Sequence, residues 1–311
     1  MSSNREINES RRGALKCMGF GAGTMFALSG GVLTALDLGT LTAAQAKAAG
    51  TPFFVQLSDS HIGFNKDANP DVPGTLKQTI GLVNALPVQP ALILHTGDIT
   101  HLSKAAEFDQ AQQLLSTLQV SEIHTVPGEH DVTDGVGTEY LNRFGKASKN
   151  KGYYSFDHSG VHFVALVNVM NFKPGGLGAF GNDQLEWLEA DLKGKSSSTP
   201  IVVFAHMPMW TIYEPWGWGT GDSPQALGYL KRFGSVTVIN GHIHQIVQKV
   251  EGNVTFHTGR GTAYPLPLAG NGPAPAPLKV TADQLPKMLG YTTITEKLHP
   301  RELALNNITL A

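Results

Sequence analysis

The chain has one cysteine in 311 residues, Cys17, and it falls inside an N-terminal stretch that reads as an export signal. A body without thiols forms no disulfide and offers no thiolate to a metal, which excludes stapled secreted scaffolds and cysteine-ligated zinc modules. A surplus of positive charge is also missing. The 23 Lys and Arg residues against 25 Asp and Glu give a formal net charge of −2, and without the five basic and three acidic residues of 1–48 the remainder carries −4. Such a body has no long-range field for nucleic acid or an anionic membrane, so no nucleic-acid partner is expected. Charged residues make up only 15% and hydrophobic ones 41%, which excludes a disordered chain. No internal repeat is seen. Glycine is plentiful at 35 residues, as suits a molecule whose function sits on tight loops.

The stretch Ser10-Arg11-Arg12-Gly13-Ala14-Leu15-Lys16 resembles a twin-arginine signal, with Ala14 where Phe is usual. A weakly apolar run over 18–41 follows, then small residues with Ala44-Gln45-Ala46 and Ala46-Lys47-Ala48 as cleavage sites. Six glycines, three threonines and Asp37 in the run make a poor membrane helix, so no stable membrane anchor is expected. The expected organisation is a signal over 1–48 and one domain over 49–311, recognised by the twin-arginine machinery and delivered to the periplasm or otherwise exported. That route carries folded proteins, which favours a metal acquired in the cytoplasm.

Short apolar runs at 53–57, 91–95, 122–126, 201–205 and 236–239 read as buried strands, each running into a polar cluster. Helices are expected over 76–86, 105–118, 182–192 (with Asn182 as its cap), 223–233 and 283–289. Hairpins are expected at 153–167 and 245–257, a Pro- and Ala-rich loop at 264–281, and two closing strands near 291–296 and 302–309. This is α/β early and mostly β late, with polar residues at strand carboxyl ends, where open α/β sheets place their sites.

Five clusters carry metal-type side chains: Asp59-Ser60-His61, Gly97-Asp98, Gly128-Glu129-His130-Asp131, His206 and Gly241-His242-Ile243-His244. Setting His130 and Asp131 aside, three carboxylates and four imidazoles remain. One ion rarely takes seven mixed ligands, whereas two ions sharing a carboxylate do so naturally.

The order and spacing of these blocks, over residues 53–261, resemble the calcineurin-like metallophosphoesterases. Gly97-Asp98-Ile99-Thr100 and Gly241-His242-Ile243-His244-Gln245 look most like the branch containing class III cyclic-nucleotide phosphodiesterases. The resemblance implies a four-layer αββα sandwich with two mixed β-sheets. It also implies two metal ions, for which the charge of the site, counted below, favours Fe with Mn or Zn: Asp59, His61, Asp98 and His244 would hold one, and Asp98, Glu129, His206 and His242 the other. A hydroxide between them would attack a small phosphorylated substrate. His130 would serve as general acid, oriented by Asp131. His101, Trp210 and Arg260 are expected to meet substrate, as His257 would by its position after the last motif strand. Trp210 opens an aromatic segment, 210–219, that should hang over the metal site, its rings either stacking on a flat ligand or packing the loop onto the body.

One block departs from the family. Glu129 stands where Asn is usual, adding a negative charge and removing an amide donor. Two divalent ions and a hydroxide are then neutralised by Asp59, Asp98 and Glu129, where an Asn would leave one positive charge. A trivalent ion would restore it. Two readings stay open: an exported dinuclear phosphohydrolase acting on phosphodiesters or phosphomonoesters, and a protein of the same fold that binds metal and ligand with little turnover. A purple-acid-phosphatase-like site is a third reading, but the residues after Asp98 are Ile99, Thr100 and His101, without the tyrosine that such a site uses.

Overall fold

The computed structural model describes residues 24–29, 32–37, 52–120, 122–170, 175–298 and 301–311. The Arg11-Arg12 pair and the expected cleavage sites lie outside them. Two sheets organise the chain. The smaller runs in the order β13 (Arg301–Thr309), β12 (Gly290–Leu298), β3 (Pro52–Leu57), β4 (Leu92–His95), β5 (Ile123–Thr125). The larger runs β1 (Thr24–Ser29), β2 (Val32–Asp37), β10 (Gln248–Glu251), β11 (Val254–Thr258), β9 (Val236–Asn240), β8 (Ile201–Ala205), β7 (Val161–Ala165), β6 (Tyr154–His158). Both are mixed. β3, β4 and β5 are parallel, as are β7, β8, β9 and β11, with antiparallel strands at the margins. β1 and β2 fall in the stretch read as signal and reach the larger sheet through Leu33 opposite Gln248.

The apolar runs are continuous because the central strands are buried on both faces, and alternate residues serve different layers. Phe54, Leu92 and Leu94 meet Phe163, Phe204 and Ile239 between the sheets. Their neighbours Val55, Leu57 and Ile93 turn the other way, onto Leu76 and Ile80 of α1 (Val72–Asn84) and Phe108 and Ala111 of α2 (Ala105–Leu115). On the far side Val164, Val203 and Val238 pack on Leu185 and Leu188 of α4 (Asn182–Lys193) and Ala226 and Leu230 of α5 (Ser223–Leu230). The result is helix, sheet, sheet, helix, as the resemblance implied. Among the described residues, no helix is long and apolar enough to cross a membrane.

Local differences from the sequence reading have local causes. α1 begins at Val72 because Asp71 accepts the Gly74 N–H at 2.9 Å and proline stands in the first turn. Asn182 does not cap α4. Gly181 holds the cap position at φ 77°, and the Asp222 carboxylate accepts the Phe180 and Gly181 N–H groups. A further helix, α3 (Thr138–Phe144), was not expected. Asp134 nucleates it by accepting the N–H groups of Val136, Gly137 and Thr138. The late helix, α6, covers Leu285–Met288.

Candidate metal centre

All five clusters sit where parallel strands end. The loops after β3, β4 and β5 carry Asp59 and His61, Asp98, and Glu129; those after β8 and β9 carry His206, and His242 with His244. The first two loops run side by side, with Asp59 N–H donating to Gly97 O at 3.0 Å and His61 N–H to Asp98 O at 2.9 Å. Five of the seven residues adopt left-handed backbone: Asp59 (φ 51°), His61 (41°), Asp98 (50°), His242 (71°) and His244 (54°). Non-glycine residues rarely do so, and the surrounding hydrogen bonds must hold them there.

The side chains converge as two half-sites about Asp98. Its Oδ2 lies 3.5 Å from His61 Nε2 and 3.4 Å from His206 Nε2, while Oδ1 accepts the His130 N–H at 2.9 Å. On one side His61 Nε2 and His244 Nε2 stand 3.2 Å apart, and Asp59 Oδ1 is 3.4 Å from the latter. On the other side the two oxygens of Glu129 divide between partners. Oε2 lies 2.8 Å from His206 Nε2 and Oε1 lies 3.0 Å from His242 Nδ1. Asp59, His61 and His244 bring ligand atoms within 4.8 Å of one another, as do Glu129, His206 and His242.

The donor set fits a pair of cations. His206 donates Nδ1–H to Thr96 O at 2.7 Å and His244 donates Nδ1–H to Tyr264 O, so each aims its Nε2 into the cluster. Glu129 Oε2, His206 Nε2 and both His242 nitrogens are buried and, despite these close approaches, have no hydrogen-bond partner. Buried polar atoms left so are costly unless something else binds them.

The model of the calcineurin-like phosphoesterases matches residues 54–246. The chain belongs to that family. This metallophosphoesterase is a hydrolase of the metal-dependent kind, and its relatives carry phosphodiesterase and phosphatase names. It is 25% identical over 198 residues to a probable cyclic nucleotide phosphodiesterase of Vesicomyosocius okutanii, covering 62% of this chain and 79% of the relative. It is 26% identical over 160 residues to a probable glycerophosphodiester phosphodiesterase of Arcobacter nitrofigilis, covering 50% and 56%. A dimetal phosphatase of known structure from Danio rerio superposes with a TM-score of 0.64 over 84% of this chain and 97% of its own, at 15% identity, a likeness of fold.

Within the metallophosphoesterase the electrostatics follow the same division. Burial opposes the Asp59 charge, yet His244 outweighs it and holds the carboxyl at about 2. Burial likewise opposes a charge on His206, but Asp98 and Glu129 outweigh it and raise its pKa well above the ordinary imidazole value. His61 goes the other way, driven well below that value by burial and then by His130, His244 and His101.

His130 stands beside the cluster. Its Nδ1–H donates to His101 O at 2.7 Å, and its ring lies 4.8 Å from that of His61 and stacks at 4.8 Å on that of His101. Asp131 does not orient it. The Asp131 carboxylate accepts the N–H groups of Gly128, Ile99 and Thr100 and the Thr100 hydroxyl at 2.8–3.0 Å, which ties the loops after β4 and β5 together. Burial, then the Asp98 charge, pushes that carboxyl up to about 7, against the pull of its donors.

The other expected substrate contacts separate. His101 stays by the site, between Phe64 and His130. Trp210 does not join it. Its ring is buried in the outer core, 5.0 Å from that of Phe256, and Trp216 and Trp218 pack edge to face in the core beneath α1 and α2. The aromatic segment packs onto the body instead of presenting its rings over the metals. Arg260 reaches Lys287 O of α6 at 2.8 Å. His257 is fully buried, between Gln248 and Thr292. Two positions escaped the sequence reading. Tyr264 packs its ring 4.8 Å from His61 and 4.9 Å from His244, and Thr96 anchors His206. Both anchor through a backbone carbonyl, which leaves no mark in the sequence.

Proposed function

We propose that the chain is a dinuclear phosphohydrolase whose first substrates are small phosphodiesters, with phosphomonoesters second. One observation carries this: two half-sites meet on Asp98 Oδ2, with the ring of His130 beside them. Metals bound there would supply Lewis acidity towards the phosphoryl oxygens. The chain's own part is positional. Asp98 spans the half-sites, and the Thr96 and Tyr264 carbonyls fix the imidazole tautomers. His130, with its Nδ1–H committed to His101 O, keeps Nε2 for a proton passed to the leaving oxygen. The phosphodiesterase names of two relatives favour diesters.

Hydrolysis of bis(4-nitrophenyl) phosphate against 4-nitrophenyl phosphate, by protein whose metal content has been measured, tests the reading. Faster turnover of the diester is expected. Absence of turnover on both, with two ions bound, would favour the second reading, a metal- and ligand-binding protein, for which Glu129 in place of Asn is the supporting feature. Export by the twin-arginine route belongs to the proposal too. Replacing Arg11 and Arg12 by Lys should trap the precursor in the cytoplasm.

A further inference from the structure

The two half-sites are matched in charge and unmatched in donors. Each has one carboxylate of its own, two imidazoles and a share in Asp98. Asp59, however, turns one oxygen to its half-site. Its Oδ2 is taken by the Ser58 hydroxyl, the His242 N–H is shared between Oδ1 at 3.1 Å and Oδ2 at 3.3 Å, and Oδ1 is the oxygen that lies towards His244. Glu129 turns two. Oε1 faces His242 Nδ1 and Oε2 faces His206 Nε2, and Oε2 is buried without a hydrogen-bond donor. The first half-site therefore presents four atoms: Asp59 Oδ1, Asp98 Oδ2, His61 Nε2 and His244 Nε2. The second presents five: Asp98 Oδ2, both Glu129 oxygens, His206 Nε2 and His242 Nδ1. An Asn at 129 could not do this, because its amide has one acceptor oxygen and its NH2 repels a cation.

We propose that Glu129 chelates one ion through both oxygens, and that the protein thereby sorts its metals by coordination number. Zinc is content with four ligands and suits the Asp59, His61 and His244 half-site. An ion that seeks six ligands, many of them oxygen, such as Mn(II), suits the Glu129, His206 and His242 half-site. The charge count asked for a trivalent ion; the donor count produces a mixed pair without one. The proposal rests on the dinuclear reading above and extends it.

The test needs no substrate. Metal-stripped protein is incubated with equal Zn(II) and Mn(II), freed of unbound ions, and analysed for both elements and for the Mn(II) electron-spin resonance signal. One of each ion per chain is expected. Glu129→Gln keeps the length and gives up one ligand oxygen and the charge. It should weaken Mn(II) binding by at least the roughly 10–100-fold that loss of a ligand's outer partner costs, so that zinc takes both places. Asp59→Asn should deplete zinc and keep Mn(II). Two zinc ions in the wild type, or unchanged Mn(II) in Glu129→Gln, would overturn the sorting and leave the dinuclear site standing. Failure of the wild type to retain either ion would overturn both.

Discussion

Gly128 lies so tightly against Asp98 that a β-carbon on it would overlap Asp98 Oδ1 and the Asp98 backbone nitrogen. Its φ of −97° is open to any residue, so the constraint is space and not conformation. Gly128→Ala must displace the carboxylate shared by both half-sites. Overpacking of this kind costs about 1–3 kcal/mol. Thermal unfolding and elemental analysis should register lower stability and loss of both ions; wild-type values for both would mean that the loops have slack the structure does not show.

His130 lies beside the seven residues of the two half-sites, its ring 4.8 Å from that of His61. Its replacement by Ala should lower turnover by about 10²–10⁴-fold, the usual contribution of a general acid, with two ions retained. If metal falls in parallel with activity, His130 is a ligand and the proton donor lies elsewhere.

Asp131 binds loop backbones, so its loss should appear in stability first. Asp131→Ala strands three backbone N–H groups, and each buried donor left unpaired costs about 1–3 kcal/mol. Denaturant unfolding should show a large fall for Ala and a smaller one for Asn, which keeps an acceptor oxygen. A variant of unchanged stability with impaired turnover would restore Asp131 to the role of orienting His130.

His257 predicts a pH dependence remote from the metals. Burial drives its imidazole down to about 3, and Gln248 and Thr292 occupy its two nitrogens. The folded protein keeps it neutral, while the unfolded chain takes up a proton below about pH 6.5. Its contribution is therefore fully present above pH 6.5 and is lost as the pH falls towards 3, at about 1.4 kcal/mol per unit. Urea titrations across this range should show a shallower slope for His257→Gln than for the wild type. Parallel slopes would assign the acid sensitivity to other groups.

What the sequence disclosed, and what it withheld, divides along physical lines. Doubly buried strands such as 201–205 leave continuous apolar text, and ligands placed at strand ends stand out as polar clusters after it. The convergence of Asp59, Asp98, His206 and His244 was legible in the sequence through the order of these blocks and their resemblance to the family. Asp131 misled because adjacency to His130 suggests contact, whereas successive residues of the 3-10 turn Glu129–Asp131 point in different directions. Trp210 misled because a dense run of aromatic residues signals burial without saying against what. α3 was hidden because its start is a glycine beside a side-chain turn at Asp134, with no apolar stripe long enough to announce it. The division of Glu129's oxygens between two histidines is set by loops far apart in the chain, and no local pattern encodes it.

Every carboxylate of the centre comes from the smaller sheet, together with His61, and the other three imidazoles come from the larger one. Neither sheet alone can complete a coordination sphere, so an ion in either half-site is a rivet driven through both. In a chain whose one cysteine lies at position 17, such rivets would add to the apolar contacts of Phe54, Leu92, Phe163 and Phe204 between the layers. Stripping the metal should let one layer slip against the other before either unravels. Loading, by the same token, can only follow docking of the sheets, which makes a bound ion a certificate that folding is finished.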